Sequence, residues 1–408
     1  MESEANGGDP ETLARKYDMF ARLCETVSQP GISSDVVQAS VLQLVGGTER
    51  EQNVGAPIRG EIHVAVIADA SVNFSRFLSG LEELAESSAR LNGTSSTPTG
   101  AIGSVKGGSL SPGPLLDEDI SFTFIEQADS LNSKTSNALQ QILDTGTYSF
   151  TKSNFATTVD APGSVFVSSN PEYETFDAYA SVPDQISLPP SVAQSADLLL
   201  VNKGHDVDEF TSDENELPLE HALEYLQAAR SLEPEWSTDT GEIIDSYVSK
   251  YESVASDAID DPSMNLYVFG VDRVRESIRR LAEAHAKAKF ERTVSNENAE
   301  FAVDLVTSSH SDLGLSVPSD EKELNPETFE AERVQNPFLS NNEDRQREAL
   351  KQLISDMELE FDDGVPEDEV IARANKEGLK YGECEYLIGR LKHLGEVYEP
   401  ASDHLRTT

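Results

Sequence analysis

EIHVAVIADASVNFSRFLSG, residues 61–80, sets the fold expected of the chain. His63 to Ala68 is a short apolar, β-branched run that reads as a buried strand, Phe74 to Leu84 has helical spacing, and Ala68 to Asn73 is the turn between them. Strand, loop and helix in that order are the frame of a phosphate-binding loop. The working pattern is G-x-x-x-x-G-K-[ST], in which glycines let backbone N–H groups wrap the phosphates and the Lys reaches the β and γ oxygens. On that frame the first Gly is Ala68, the second is Asn73 and the Lys is Phe74; only Ser75 remains. The frame is kept while its chemistry is largely missing.

At 408 residues the chain is long enough for two or three domains of roughly 100–200 residues each. Its formal net charge of −43 comes from carboxylates spread along the whole chain, against 31 Lys and Arg. Such charge self-repels in dilute buffer and is screened in concentrated salt. A halophilic, salt-accumulating cytoplasm is therefore expected, with an acidic protein of an ordinary organism as the alternative. Cys24 and Cys384 give neither metal spacing nor a disulfide framework, and are expected as buried or semi-exposed thiols. The opening MESEANGGDP lacks the basic start and apolar core of a signal peptide, and no run approaches a membrane span. A soluble cytoplasmic protein, with no membrane partner and no metal site, is expected.

In chain order, residues 10–30 and Ser33 to Leu44 read as helices, the second with Ser33-Ser34-Asp35 at its start and Gly46-Gly47 at its end. Ser87 to Leu115, rich in Ser, Gly, Thr and Pro, reads as an insertion or hairpin rather than core. Ile120 to Ile125 is a second buried strand and ends at Glu126-Gln127. There a nucleotide hydrolase carries an acidic pair, one carboxylate for Mg²⁺ and one to polarise the attacking water. Glutamine can orient a water but cannot take its proton, and Glu126 can equally be no more than a strand end. Ser136 to Leu143 is helical, Tyr148 to Thr158 alternates like a hairpin with Lys152 at its tip, and Ser164 to Ser169 is a third apolar strand. Asn170 after it can position a water or simply turn the chain before Pro171. Asp197 to Val201 is a fourth strand, so strands alternate with helices as in a parallel α/β sheet.

Gly204 to Leu217 reads as an acidic linker. Pro218 to Leu232, Thr240 to Ser253, Asp272 to Phe290 and Asn296 to Ser309 read as an all-helical domain, and Ser316 to Asn342 as a flexible tether. Asn342 to Leu359, Pro366 to Lys376 and Gly382 to Leu394 are three helices before a hairpin at 395–406, the pattern of a winged helix-turn-helix. In such modules the third helix enters the major groove. Candidate DNA contacts are Lys380, Arg390, Lys392, His393 and Arg406; Glu383 and Glu385 oppose them, so a protein-docking module is the alternative.

Five ordered blocks then resemble the ATPase half of a minichromosome maintenance (MCM) family replicative helicase, an AAA+ protein. They are SVLQLVGGTEREQNVGAPIRGEIHVAVIADAS (40–71), SFTFIEQADSL (121–131), TYSFTKSNFATTVDAPGSVFVSSNP (147–171), QISLPPSVAQSADLLLV (185–201) and VDRVRESIRRLAEAHAKAKF (271–290). The resemblance implies an AAA+ P-loop-type parallel sheet over residues 1–203, a linker at 204–217, a helical lid at 218–315, a tether at 316–342 and a winged helix at 343–408. It sets the phosphate-loop Lys at Phe74, the acidic pair at Glu126 and Gln127, and the arginine finger at Ser195. Ser75, the first-sensor Asn170, the lid's second-sensor Arg273 and the DNA-gripping Lys152 still match. The family's N-terminal DNA-binding domain has no counterpart, so a truncated, degenerate paralogue of haloarchaeal type is expected.

Loss of an arginine finger alone costs about 10³ or more in rate, and the missing Lys and base act on the same transition state. The expectation is a catalytically inactive AAA+ scaffold in replication or repair, with DNA and MCM-type ring subunits as partners. ATP with Mg²⁺ would be held weakly through Ser75, Asn170 and Arg273; the alternative for these three is inherited polar residues with new local partners. The alternative is an ATP-binding subunit of an ATP-dependent DNA helicase ring that shares its sites with an intact partner.

Overall fold

The computed structural model describes residues 10–51, 57–106, 109–152, 155–177, 180–204, 217–238, 240–258, 267–318, 343–358 and, within 361–407, all but 362, 363, 377, 378, 380, 396, 402 and 403. The acidic linker (205–216), most of the tether (319–342) and Lys380 lie outside them. The strands are β1 (Val64–Ala68), β2 (Ser88–Asn92), the hairpin β3 (Gly103–Lys106) and β4 (Ser109–Pro112), β5 (Phe122–Glu126), the hairpin β6 (Thr147–Lys152) and β7 (Phe155–Asp160), β8 (Ser164–Ser169) and β9 (Leu198–Asn202). The central sheet runs β2-β5-β8-β1-β9 and every pairing in it is parallel. β1 sits between β8 and β9 with all five residues buried, which is why its sequence is a continuous apolar run rather than an alternation.

Helices cover the sheet: α1 (Pro10–Lys16), α2 (Met19–Val27), α3 (Ser34–Val45), α4 (Phe74–Leu84), α5 (Pro98–Ala101), α6 (Ser133–Thr145) and α7 (Pro190–Ala193), then α8 (Leu219–Arg230), α9 (Thr240–Ala258), α10 (Val271–Ala288) and α11 (Asn296–Asp312). α3 is buried nearly all round, and its Gln43 amide donates to the Ile62 and Val165 carbonyls at 3.0 and 2.9 Å, so a polar group inside the core is matched. The sheet with its helical lid is the AAA+ arrangement. Two details differ from expectation. Residues 88–92 of the expected insertion are a strand of the sheet, edge strand β2, whose half-exposed Ser-Ala-Arg-Leu-Asn lacks an apolar run because only one neighbour covers it; the hairpin follows at β3 and β4. The helical lid also carries a two-residue parallel pairing, β10 (Glu235–Trp236) with β11 (Thr293–Val294).

The C-terminal residues form a second compact unit. Helices α12 (Glu343–Met357), α13 (Glu367–Lys376) and α14 (Tyr381–His393) enclose Leu350, Ile354, Val370, Cys384, Leu387 and Leu391. A small sheet closes it, β12 (Val365–Pro366) and β13 (Val397–Ala401) flanking β14 (His404–Thr407), consistent with a winged helix. Cys24 and Cys384 are both buried free thiols.

The lid helix α10 is held to the sheet by buried charge. Asp197, just before β9, accepts from Arg280 at 2.6 and 3.1 Å, Ser277 at 2.8 Å, Arg59 at 2.8 Å and the His63 backbone N–H at 2.8 Å. Farther along the same helix, Glu283 accepts from Thr48 N–H and Trp236 Nε1, and Lys287 donates to the Gly47 carbonyl at 2.7 Å. Burial alone would raise the Asp197 carboxyl, yet Arg280 and Arg59 hold it well below the usual carboxylate range. Its contribution to stability is complete above the unfolded value of about 3.9 and is lost as pH falls through the depressed folded value. Asp197→Asn should destabilise this unit by about 3–5 kcal/mol, since it leaves Arg280 and Arg59 buried without their counter-charge. Urea unfolding followed by the fluorescence of Trp236, the chain's single tryptophan, measures it, and an unchanged midpoint would refute it.

Candidate functional site

The loop after β1 opens at the C-terminal ends of the strands, where open α/β sheets bind ligands. A cavity of about 310 Å³ lies there, lined by Ala68, Ala70, Val72, Asn73, Phe74 and Ser75 of the loop and helix start, Asn92 of β2, Glu126 and Gln127 at the end of β5, and Ser168 to Asn170 of β8. Ser75, Glu126, Gln127 and Asn170 thus come together around one space, as their motifs require. The lining holds one carboxylate and no basic residue.

The loop's backbone explains how it keeps its shape without glycine. A phosphate-binding loop turns its N–H groups toward the ligand; here they meet the chain's own acceptors. Asp69 N–H donates to the Asn202 carbonyl, Ala70 N–H to Glu174 O, Ser71 N–H to the Asp69 carboxylate, Val72 N–H to Asp69 O and Phe74 N–H to Val72 O, all between 2.8 and 3.1 Å. The buried Asp69 carboxylate also accepts from Phe176 N–H at 2.9 Å. At the start of α4, Asn73 Oδ1 caps the Arg76 N–H, a donor that a phosphate would otherwise use. Asp69 escaped sequence reasoning because one of its partners, Phe176, lies more than a hundred residues away; a carboxylate directly inside the loop pattern was the available signal.

Phe74, at the Lys position, turns its ring toward Phe77 and Phe166, 5.4 and 6.0 Å away between centroids, and packs on the core while lining the cavity. Ser75 Oγ donates to Glu126 at 2.5 Å. Arg90 of β2 lies against the same pair, its Nη2 donating to the Ser75 carbonyl at 3.0 Å and its Nε 3.7 Å from the Glu126 carboxylate. Gln127 has left-handed backbone (φ 53°), and its side chain accepts from Asn92 at 3.0 Å. Gly93 makes that corner possible, since a Cβ there would sit 1.9 Å from the Gln127 carbonyl oxygen. Asn170 donates to the Ala68 carbonyl at 2.9 Å, tying β8 to the end of β1.

Arg273 and Ser195 are together elsewhere. Arg273 donates to the Ser195 carbonyl at 2.7 Å and pairs with Asp144, and neither residue lines the cavity. Ser195 itself is buried, its hydroxyl donating to Ser191 O. Lys152 closes the β6–β7 ladder opposite Phe155, the last pair before the hairpin turn. In the C-terminal unit Lys392 is engaged by Glu367 and Glu399 at 2.8 and 2.5 Å, which leaves it poorly placed for a phosphate; Arg390 and Arg406 are half-buried. Among the described residues no cluster of His, Cys, Asp or Glu is arranged to hold a metal ion, and no helix is long and apolar enough to cross a membrane.

This geometry agrees with the comparisons. Residues 10–215 match the MCM P-loop domain family and residues 220–310 the MCM AAA-lid domain family. The chain belongs to the minichromosome maintenance family. It is 21% identical to the minichromosome maintenance protein MCM of Saccharolobus solfataricus, over 90% of this chain and 54% of that protein. It is 25% identical to an uncharacterized MCM-type protein of Methanocaldococcus jannaschii over 96% of this chain and 54% of that one, and 25% identical to the DNA replication licensing factor MCM7 of Arabidopsis thaliana over 73% and 44%. The chain spans about half the length of the curated relatives it matches.

Because the amides of Asp69 to Val72 and of Phe74 are bonded within the chain, Phe74 is only one of the loop's departures from the phosphate-binding pattern. Phe74→Lys alone should leave Mg-ATP affinity weaker than millimolar in equilibrium dialysis. Micromolar binding by that single variant would show that the loop amides are available after all.

Proposed function

We propose that this MCM-family protein is a catalytically silent AAA+ scaffold in DNA replication or repair, binding DNA or an active ring subunit rather than hydrolysing ATP. The observation that carries it is the phosphate loop bonded to its own chain, with Asp69 inside it and Phe74 in place of Lys. Asp69 gives the loop amide of Ser71 an internal acceptor, and Phe74 puts apolar surface where a triphosphate would need a cation. The finer divisions belong to the same proposal. Residues 1–203 act as the degenerate core, 218–315 as the lid and 343–408 as the winged helix, joined through 204–217 and 316–342. Lys152, Lys380, Arg390 and Arg406 are the DNA contacts, with Lys392 in reserve behind its carboxylates. The net charge of −43 supports a halophilic cytoplasm as the working medium.

A second reading is favoured by one observation. Arg273 lies on the Ser195 carbonyl, away from this chain's own cavity, so its charge is available to a neighbouring subunit's site once Asp144 releases it. In that reading the chain completes a ring with an intact MCM partner. Calorimetric titration of Mg-ATP into the protein in molar KCl separates the two. The scaffold reading expects no heat up to millimolar ATP, and micromolar binding would overturn it. For the second reading, mixing with an intact MCM protein should raise ring ATPase, and Arg273→Ala should abolish the rise.

A further inference from the structure

We propose that Arg90 is the resident cation of the degenerate site, a guanidinium held by the Ser75 backbone carbonyl beside the Glu126 carboxylate, so that the chain itself closes the site to metal. The inference rests on the reading of the cavity as a silent nucleotide site. In nucleotide hydrolases of this frame Mg²⁺ is held by the Ser or Thr that follows the loop Lys and by a carboxylate at the end of a neighbouring strand. Those residues here are Ser75 and Glu126, and they do not fit a metal. Ser75 Oγ is spent on Glu126 at 2.5 Å, and Arg90 sets a positive charge 3.7 Å from the same carboxylate.

The seat is built for a guanidinium. Ser75, Ser79 and Glu82 fall at positions i, i+4 and i+7 of α4 and so share one helix face. Arg90 Nη2 donates to the Ser75 carbonyl at 3.0 Å, Nη1 to Ser79 Oγ at 3.4 Å, and Nε lies 3.4 Å from Glu82 and 3.7 Å from Glu126. The side chain reaches this face because β2 is the strand beside β5, with Arg90 two residues before Asn92, the partner of Glu126 in the ladder. Arginine keeps its charge at every accessible pH. Mg²⁺ demands near-octahedral oxygens and gives up its water reluctantly, so a fixed positive charge beside its one protein carboxylate disfavours it. Glu126 then has its counter-charge with no ligand present.

Manganese binding counted by electron paramagnetic resonance tests this, in KCl concentrated enough to screen the surface carboxylates. Wild type and Glu126→Gln should give the same isotherm. Arg90→Ala should gain one saturable Mn²⁺, bound at least tenfold more tightly than the nonspecific remainder, and Arg90→Ala combined with Glu126→Gln should lose it. A Glu126-dependent Mn²⁺ in the wild type, or identical isotherms for wild type and folded Arg90→Ala, would overturn the proposal. Should Arg90→Ala fail to fold, wild type against Glu126→Gln decides: a difference overturns the proposal and identity upholds it. ATP hydrolysis by the wild type would sink the silent-site reading whatever the manganese result, so the two failures are distinguishable.

Discussion

The buried Asp197 carboxylate is the constraint on which the larger unit depends. A carboxylate sealed from water is tolerated only if its lone pairs are filled and its charge matched. Asp197 meets both terms by drawing on three separate parts of the chain: Arg59 and His63 before β1, Ser277 and Arg280 of the lid, and its own position ahead of β9. The ligand set fixes the start of the central strands and the azimuth of α10 at once. Neighbouring groups follow the same rule. His63 is kept neutral, first by burial and then by Arg59, and its Nδ1 accepts from Val165 N–H. Lys287, whose pKa burial lowers, finds the Gly47 carbonyl. The lid is therefore joined to the sheet by hydrogen bonds that no loose hinge would satisfy.

That rigidity bears on the degenerate loop. A working phosphate loop leaves donors for a ligand and is stabilised when the ligand arrives. A chain without the ligand must satisfy those donors itself or lose about 1–3 kcal/mol for each one left buried and unpaired. Asn202 accepts from Asp69 N–H while its own amide group reaches Gly31 O and Ser33 N–H, so the loop, β9 and the chain before α3 form one hydrogen-bonded patch. A loop without glycines is thus held by partners on β9 and ahead of α3. A chain that was merely decaying would not show such matched partners beside an unbroken apolar core.

How much of this the sequence disclosed depended on where each partner lies. β1, α4 and β8 were legible almost to the residue, because a run buried on both faces and a capped amphipathic turn write themselves into consecutive positions. β2 was not, because an edge strand with Ser, Ala, Arg and Asn has no local period to detect. On α10 the residues Arg280, Glu283 and Lys287 are 4%, 1% and 3% exposed, and nothing local marks charged residues as buried; their counter-groups at 197, 48 and 47 lie far away in sequence. The departures at Phe74 and Gln127 could be seen from motif spacing, and that at Ser195 only through the family resemblance. Asp69 and Arg90, which complete the altered site, could not, since neither stands at a position the loop pattern names.

The two residues that spacing did not name explain why the substitutions at the named positions are tolerated together. Asp69 places an anion inside the loop, where it accepts from Ser71 and Phe176 N–H, in the role a phosphate oxygen has elsewhere. Arg90 places a cation against Ser75 and Glu126, in the role of a metal. A nucleotide with its metal would meet a loop amide already bonded to Asp69 and a cation already beside Glu126, so neither group stands open to receive it. The obstacle that a single replacement at Phe74 or Gln127 would face is therefore distributed over the loop after β1, β2, α4 and β5, and it is as much a part of the folded state as the core beneath it.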